Sequence, residues 1–118
     1  MELSGLHTQK KLWGMTVYDI IDGNCLNGLS VNNDHKGNTM NEILRAQKNK
    51  EGNDISGNYI VAYIEPWGEA YTGTLEISGP TDNGSYEFDW DIKSDIKFKG
   101  VGFKIGGNKL SVIYWQTN

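Results

Sequence analysis

The chain has 118 residues, of which 37% are hydrophobic and 22% charged, and its formal net charge is −4. This length suits a single domain with its own core, and the acidic charge gives no broad positive field for a nucleic-acid backbone or an anionic membrane surface. No run approaches the roughly 18 apolar residues of a membrane-spanning helix, so neither nucleic-acid binding nor membrane insertion is expected.

Residues 1–11 carry few apolar side chains and are expected to form a flexible N-terminal arm, which leaves 12–118 as a single β domain. The arm lacks the apolar stretch of a signal peptide, and the chain has one cysteine, so a cytoplasmic location is favoured. His7 lies in the arm and His35 in a polar loop, without other ligands at metal spacing. We therefore expect no metal and no cofactor.

A hairpin is expected at the start of the domain. Two apolar runs, 12–20 and 25–31, flank the sequence Asp22-Gly23-Asn24. Asp, Gly and Asn supply the backbone angles that a tight turn needs, so these runs predict two antiparallel strands.

A short helix is expected after the polar loop 32–38. Thr39 and Glu42 have the spacing of a capping box. Met40, Ile43 and Leu44 would then lie on one side at helical spacing. The interpretation is a helix from Thr39 to about residue 48 that packs on a sheet or covers one end of a barrel.

From residue 58 onward, apolar and polar residues alternate, and glycine-rich or proline-containing turns separate the runs. This pattern predicts consecutive antiparallel strands. A three-residue loop at 93–95 would place Trp90 opposite Phe98, with Asp89 and Asp91 opposite lysines. The change of phase around Gly100 suggests a β-bulge. The last strand, 109–116, is apolar on both faces, so we expect both to be covered, by the helix from Thr39, by closure of the barrel or by a second subunit.

The fold class is therefore mainly β: an antiparallel meander, partly or fully closed as a small barrel of about seven strands, with one short α-helix. The second half of the chain resembles the meanders of calycin-type barrels, the avidin-like and lipocalin-like families. The likeness rests on Gly57-Asn58-Tyr59, Tyr71-Thr72-Gly73-Thr74-Leu75-Glu76-Ile77, Tyr86-Glu87-Phe88-Asp89-Trp90, Phe98-Lys99-Gly100-Val101-Gly102 and Leu110-Ser111-Val112. Trp13 precedes Gly14, whereas lipocalins place the glycine before the tryptophan, and no family site residue can be transferred.

Aromatic residues on the inner side of this meander suggest a binding function. Tyr71, Tyr86, Trp90 and Phe98 would line a site for a small apolar or aromatic ligand, held without catalysis. Catalytic sequence motifs are absent, and the carboxylate pairs Asp89/Asp91 and Glu65/Glu69 are explained by solvated positions, so no enzyme activity is expected.

A second hypothesis is a protein-interaction or self-association module, the latter a homo-oligomer, with a filled core and no small ligand. Trp67, Ile113 and Trp115 would form its contact surface. Trp67 is included because a tryptophan in a Pro-Trp-Gly turn is hard to bury at a hairpin tip.

Overall fold

The computed structural model describes residues 11–34, 37–92 and 95–118. The predicted arm up to residue 10, with His7, and the predicted loop position of His35 lie outside the described residues.

Eight strands form a closed antiparallel barrel in the described part of the chain. They are β1 Trp13–Asp22, β2 Cys25–Asn32, β3 Met40–Ala46, β4 Gly57–Ile64, β5 Ala70–Ser78, β6 Ser85–Ile92, β7 Ile96–Lys104 and β8 Lys109–Gln116. Each strand pairs with the next, and β8 pairs with β1. The mainly β class and the small barrel are confirmed, with one strand more than expected, and the predicted first hairpin is β1 and β2.

The predicted helix is wrong, because its residues form β3. Met40, Glu42 and Leu44 are buried, whereas the residues between them are exposed, which is the alternation of a strand. As a strand, this segment pairs with β2 on one side and β4 on the other. Its backbone polar groups are thereby satisfied within the sheet, and the barrel can close. No helix occurs between residues 11 and 118 where the structure is described.

The predicted register of β6 and β7 is confirmed, with Trp90 opposite Phe98, Asp89 opposite Lys99 and Asp91 opposite Lys97. The predicted bulge is wrong, since this pairing continues without a shift to Phe103.

Glycine accounts for the change of phase in β7. Gly100 faces the interior, where a Cβ atom would lie 2.9 Å from Cζ3 of Trp90. Glycine therefore occupies the inward positions 100 and 102 of β7, and Val101 and Phe103 point outward on the same strand.

The connection between β3 and β4 closes one end of the barrel. Ile55 from this connection is fully buried in the core. The Tyr59 hydroxyl lies 2.7 Å from the carbonyl oxygen of Ile55 and 3.0 Å from that of Gly23, on the neighbouring β1–β2 turn. Lys50 Nζ donates to the carbonyl oxygen of Asp54 over 2.9 Å. Ile55 thus acts as an apolar plug at this end of the barrel. The β2–β3, β4–β5 and β6–β7 connections lie at the other end.

The outer surface of the barrel has an apolar side. Val101, Ile113, Met15 and Val31 are paired in sequence across β7, β8, β1 and β2, which places them in one row. Ile113 is 57% exposed and Trp115 40% exposed, so none of the described residues covers the outer face of β8, and the predicted helix is not there to do so. No helix in the described residues is long and apolar enough to cross a membrane.

Candidate ligand-binding site

A cavity of about 80 Å³ lies inside the barrel at the end away from Ile55. It is bordered by the ends of several strands and by the segments that follow them. Its lining residues are Leu12, Ser30, Asn32, Met40, Glu42, Val61, Tyr63, Glu65, Trp90, Ile92, Phe98 and Tyr114. Polar oxygen atoms and aromatic rings thus meet in one small space.

Glu42 is the acidic residue of the barrel interior. Its side chain points inward from β3, and the residue is only 8% exposed. The Tyr18 hydroxyl donates to Glu42 Oε2 over 2.7 Å, and the Trp90 indole N–H donates to the same oxygen over 3.2 Å. Among the described residues, none donates a hydrogen bond to Oε1. One oxygen of a cavity-lining carboxyl therefore retains its capacity to accept.

Gly28 allows Tyr18 to reach Glu42. The three residues are neighbours in register on β1, β2 and β3. A Cβ atom on residue 28 would lie 2.7 Å from Cδ1 of the Tyr18 ring. Because residue 28 is glycine, the ring can lie over β2 and present its hydroxyl to the carboxyl beyond.

Burial dominates the electrostatics of this pair. Burial raises the pKa of Glu42, although the hydrogen bonds from Tyr18 and Trp90 act in the opposite direction. The pKa of Tyr18 is raised by burial and then by the nearby Glu42 charge. The described residues that line the cavity include a second carboxyl, Glu65, but no Lys, Arg or His. Within the described lining, Glu42 therefore has hydrogen-bond donors beside it but no Lys, Arg or His.

A chain of hydroxyl groups forms another side of the cavity. Thr16 Oγ1 donates to Ser30 Oγ over 3.0 Å, and Ser30 Oγ lies 3.1 Å from the Tyr114 hydroxyl. Tyr114 donates in turn to the carbonyl oxygen of Val31 over 3.0 Å. Burial is the main reason that the pKa of Tyr114 rises to about 12. These hydroxyls remain neutral at ordinary pH and are held in fixed positions.

Two of the predicted ligand-binding residues lie together at this cavity. Trp90 and Phe98 both border it, and each contacts Tyr114 edge to face, with ring centroids 5.9 and 5.7 Å from that of Tyr114. Phe88 stacks on the far side of Trp90 at 5.4 Å. The indole is consequently held between neighbours with its N–H directed at Glu42.

The other two predicted residues lie away from the cavity lining. Tyr86 is buried near the plugged end, with Lys104 Nζ 6.0 Å from its ring centroid. Tyr71 packs against Tyr63 at 5.3 Å and donates to Glu69 over 2.8 Å. Tyr63 itself borders the cavity, so Tyr71 contacts a lining residue without bordering the cavity.

The predicted interaction residues do not form one surface. Ile113 and Trp115 point outward from β8. Trp67 is exposed on the β4–β5 turn; around the barrel from β8, β4 is four strands away in one direction and β5 three in the other. Trp13 lies beside Trp115 instead, in register on β1.

Sequence reasoning missed Glu42, Tyr18 and Ser30 as site residues. The alternation of Met40, Glu42 and Leu44 was the available signal for Glu42, but the helical interpretation of the same residues placed it in a cap. Ser30 and Tyr18 occupy inward positions of the predicted first hairpin. Within the described residues, no group of three His, Cys, Asp or Glu side chains converges to hold a metal ion.

Comparison with protein-family models, with curated proteins and with solved structures gave no match.

Proposed function

We propose that this protein binds a small ligand, without catalysis, at the open end of its barrel, as the resemblance to calycin-type barrels suggests. The observation that carries the proposal is the difference between the two ends. Ile55 fills one end, whereas the other retains a cavity of about 80 Å³ into which Glu42, Ser30 and Tyr114 direct polar atoms. A mostly apolar pocket with a few convergent polar groups is typical of small-molecule sites.

The size of the cavity limits what enters it. A cavity of about 150 Å³ holds benzene, so 80 Å³ admits a group of about three or four non-hydrogen atoms. Complete ligand pockets are commonly about 300 Å³ or larger. The part of the ligand inside the barrel is therefore a small head group, and the remainder extends past Phe98 towards the mouth.

Native mass spectrometry under gentle and then denaturing conditions tests whether the purified protein retains a small molecule. A mass that is lost on unfolding supports the proposal and begins to identify the ligand. Val61→Phe, which fills the cavity, should abolish this retention. Ile60→Phe is the matched control, because Ile60 is the exposed neighbour of Val61 on β4. Equal retention by both folded variants would contradict binding in the cavity.

A second candidate function is self-association through the apolar side of the barrel. It is favoured by the exposed side chains of Val101, Ile113 and Met15, which adjoin the half-buried Val31 in one row, since contiguous exposed apolar surface marks interaction sites. A second copy of the chain is the occupant we propose, because a two-fold dimer uses the same patch on both subunits and the apolar row would then meet itself.

Sedimentation velocity over a range of protein concentrations tests this second candidate. The wild type should form a dimer, and Ile113→Lys should be monomeric. Ile60→Lys introduces the same charge on the outer face of β4, outside the row, and should leave the dimer intact. A monomeric wild type at all concentrations would exclude self-association.

A further inference from the structure

We infer that the head group bound in this cavity is an organic cation, such as a primary ammonium, which hydrogen-bonds to Glu42 Oε1 and lies against the aromatic rings of Trp90 and Phe98. The inference rests on the proposed function, because it names the chemical class of ligand for the same cavity.

The first reason is the unused oxygen of Glu42. Tyr18 and Trp90 both donate to Oε2, and none of the described residues donates to Oε1. Because Glu42 lines the cavity, Oε1 can accept a hydrogen bond from a group that enters there. A ligand that brings N–H donors into the cavity would complete the environment of this carboxyl.

The second reason is the charge balance of the lining. Glu42 borders the cavity, and no Lys, Arg or His among the described residues does so. An anionic head group would be repelled by the Glu42 carboxylate, whereas a cation would be attracted. An ammonium would also favour the ionised form of Glu42, whose pKa is raised by burial.

The third reason is the aromatic lining. Trp90, Phe98, Tyr63 and Tyr114 all border the space in front of the carboxyl. Aromatic faces attract cations, most strongly in a site removed from water. The combination of a buried carboxylate and aromatic rings therefore selects an organic cation over a neutral group of the same size.

The experiment compares two probes of equal size, propylammonium and 1-propanol. Each has four non-hydrogen atoms, which matches the cavity. Binding is followed by NMR through the indole N–H resonance of Trp90, assigned with the Trp90→Phe variant. Propylammonium should shift this resonance saturably, and its affinity should exceed that of 1-propanol by about tenfold or more, as expected for a hydrogen bond to a charged group.

Glu42→Gln keeps the shape of the side chain and removes its charge. This variant should lose about tenfold or more in affinity for propylammonium and change little for 1-propanol. Glu87→Gln, an exposed position on β6, is the control and should behave as the wild type.

The outcomes separate the two proposals. If both probes bind at Trp90 with similar affinity in the wild type, the cation inference is wrong and the ligand site stands. If neither probe shifts the Trp90 resonance, and Val61→Phe retains as much native ligand as Ile60→Phe, the ligand site itself is wrong.

Discussion

The indole N–H of Trp90 donates to Glu42 Oε2 over 3.2 Å, and this hydrogen bond joins β6 to β3 across the interior of the barrel. The two residues are 48 positions apart in the sequence. With Tyr18 donating to the same oxygen from β1, three separate strands converge on one carboxyl. The remaining oxygen faces the cavity in an orientation that these bonds fix, and the following predictions depend on this arrangement.

The wild type should lose stability as pH rises, whereas the Glu42→Gln variant should not show this loss. Because the folded-state pKa of Glu42 is raised from 4.5, the folded state binds a proton more tightly than the unfolded state. Stability is therefore lost as pH rises from about 4.5 through the folded-state pKa. The total loss is about 1.4 kcal/mol for each unit by which the pKa is raised on folding. Urea unfolding of both proteins between pH 4.5 and 8 measures the difference, with Glu87→Gln as control. A constant difference across this range would contradict a buried Glu42.

Removing the Tyr18 hydroxyl should destabilise the protein. Tyr18→Phe leaves Glu42 with the Trp90 donor alone, and a buried group that loses a partner costs about 1 to 3 kcal/mol. Tyr71→Phe removes a hydroxyl that binds an exposed carboxylate and should cost about 0.5 kcal/mol or less. Denaturant midpoints of the two variants provide the comparison. Equal losses would show that the Tyr18 contact contributes nothing specific.

Gly28 should not tolerate a larger residue. In Gly28→Ala the new methyl group would lie 2.7 Å from the Tyr18 ring, so the ring must move away from Glu42. Overpacking of this kind costs about 1 to 3 kcal/mol. Gly107→Ala is the control, since a Cβ there meets nothing within 4 Å. Thermal unfolding measures both, and a neutral Gly28→Ala would refute the described path of Tyr18 over β2.

Ile55 should be essential for the closed end of the barrel. Ile55→Ala removes a fully buried side chain and should cost about 2 to 5 kcal/mol. Ile105→Ala, at an exposed position after β7, should change the free energy of unfolding by about 0.5 kcal/mol or less. Chemical denaturation of both variants tests this difference. A small effect of Ile55→Ala would mean that the β3–β4 connection does not plug the barrel.

The sequence was sufficient to predict the antiparallel meander and the register of β6 and β7. Alternation on both strands, opposite charges at Asp89 and Lys99, and a short loop leave few other pairings, because a slip of one residue would expose Trp90. Closure of the barrel by pairing of β8 with β1 was harder to predict from the sequence, since these two strands are distant in the chain.

The segment 40–46 was ambiguous for a physical reason. Its apolar residues Met40, Ile43 and Leu44 fit a helical face, whereas Met40, Glu42 and Leu44 fit one face of a strand. The second interpretation requires a glutamate inside the core. Burial of a carboxyl is unfavourable unless it has hydrogen-bond partners, and the sequence alone does not reveal them. Tyr18 and Trp90 supply those partners only in the folded barrel, so sequence reasoning could not identify Glu42.

Cation binding at Glu42 is tested most directly by an NMR titration of its side-chain carboxyl carbon, with and without saturating propylammonium. We predict a pKa above 4.5 in the free protein and a lower pKa in the presence of the amine, because a bound cation favours the carboxylate. The same pKa in both conditions would contradict the binding of a cation at Glu42, and an unshifted pKa in the free protein would contradict its burial.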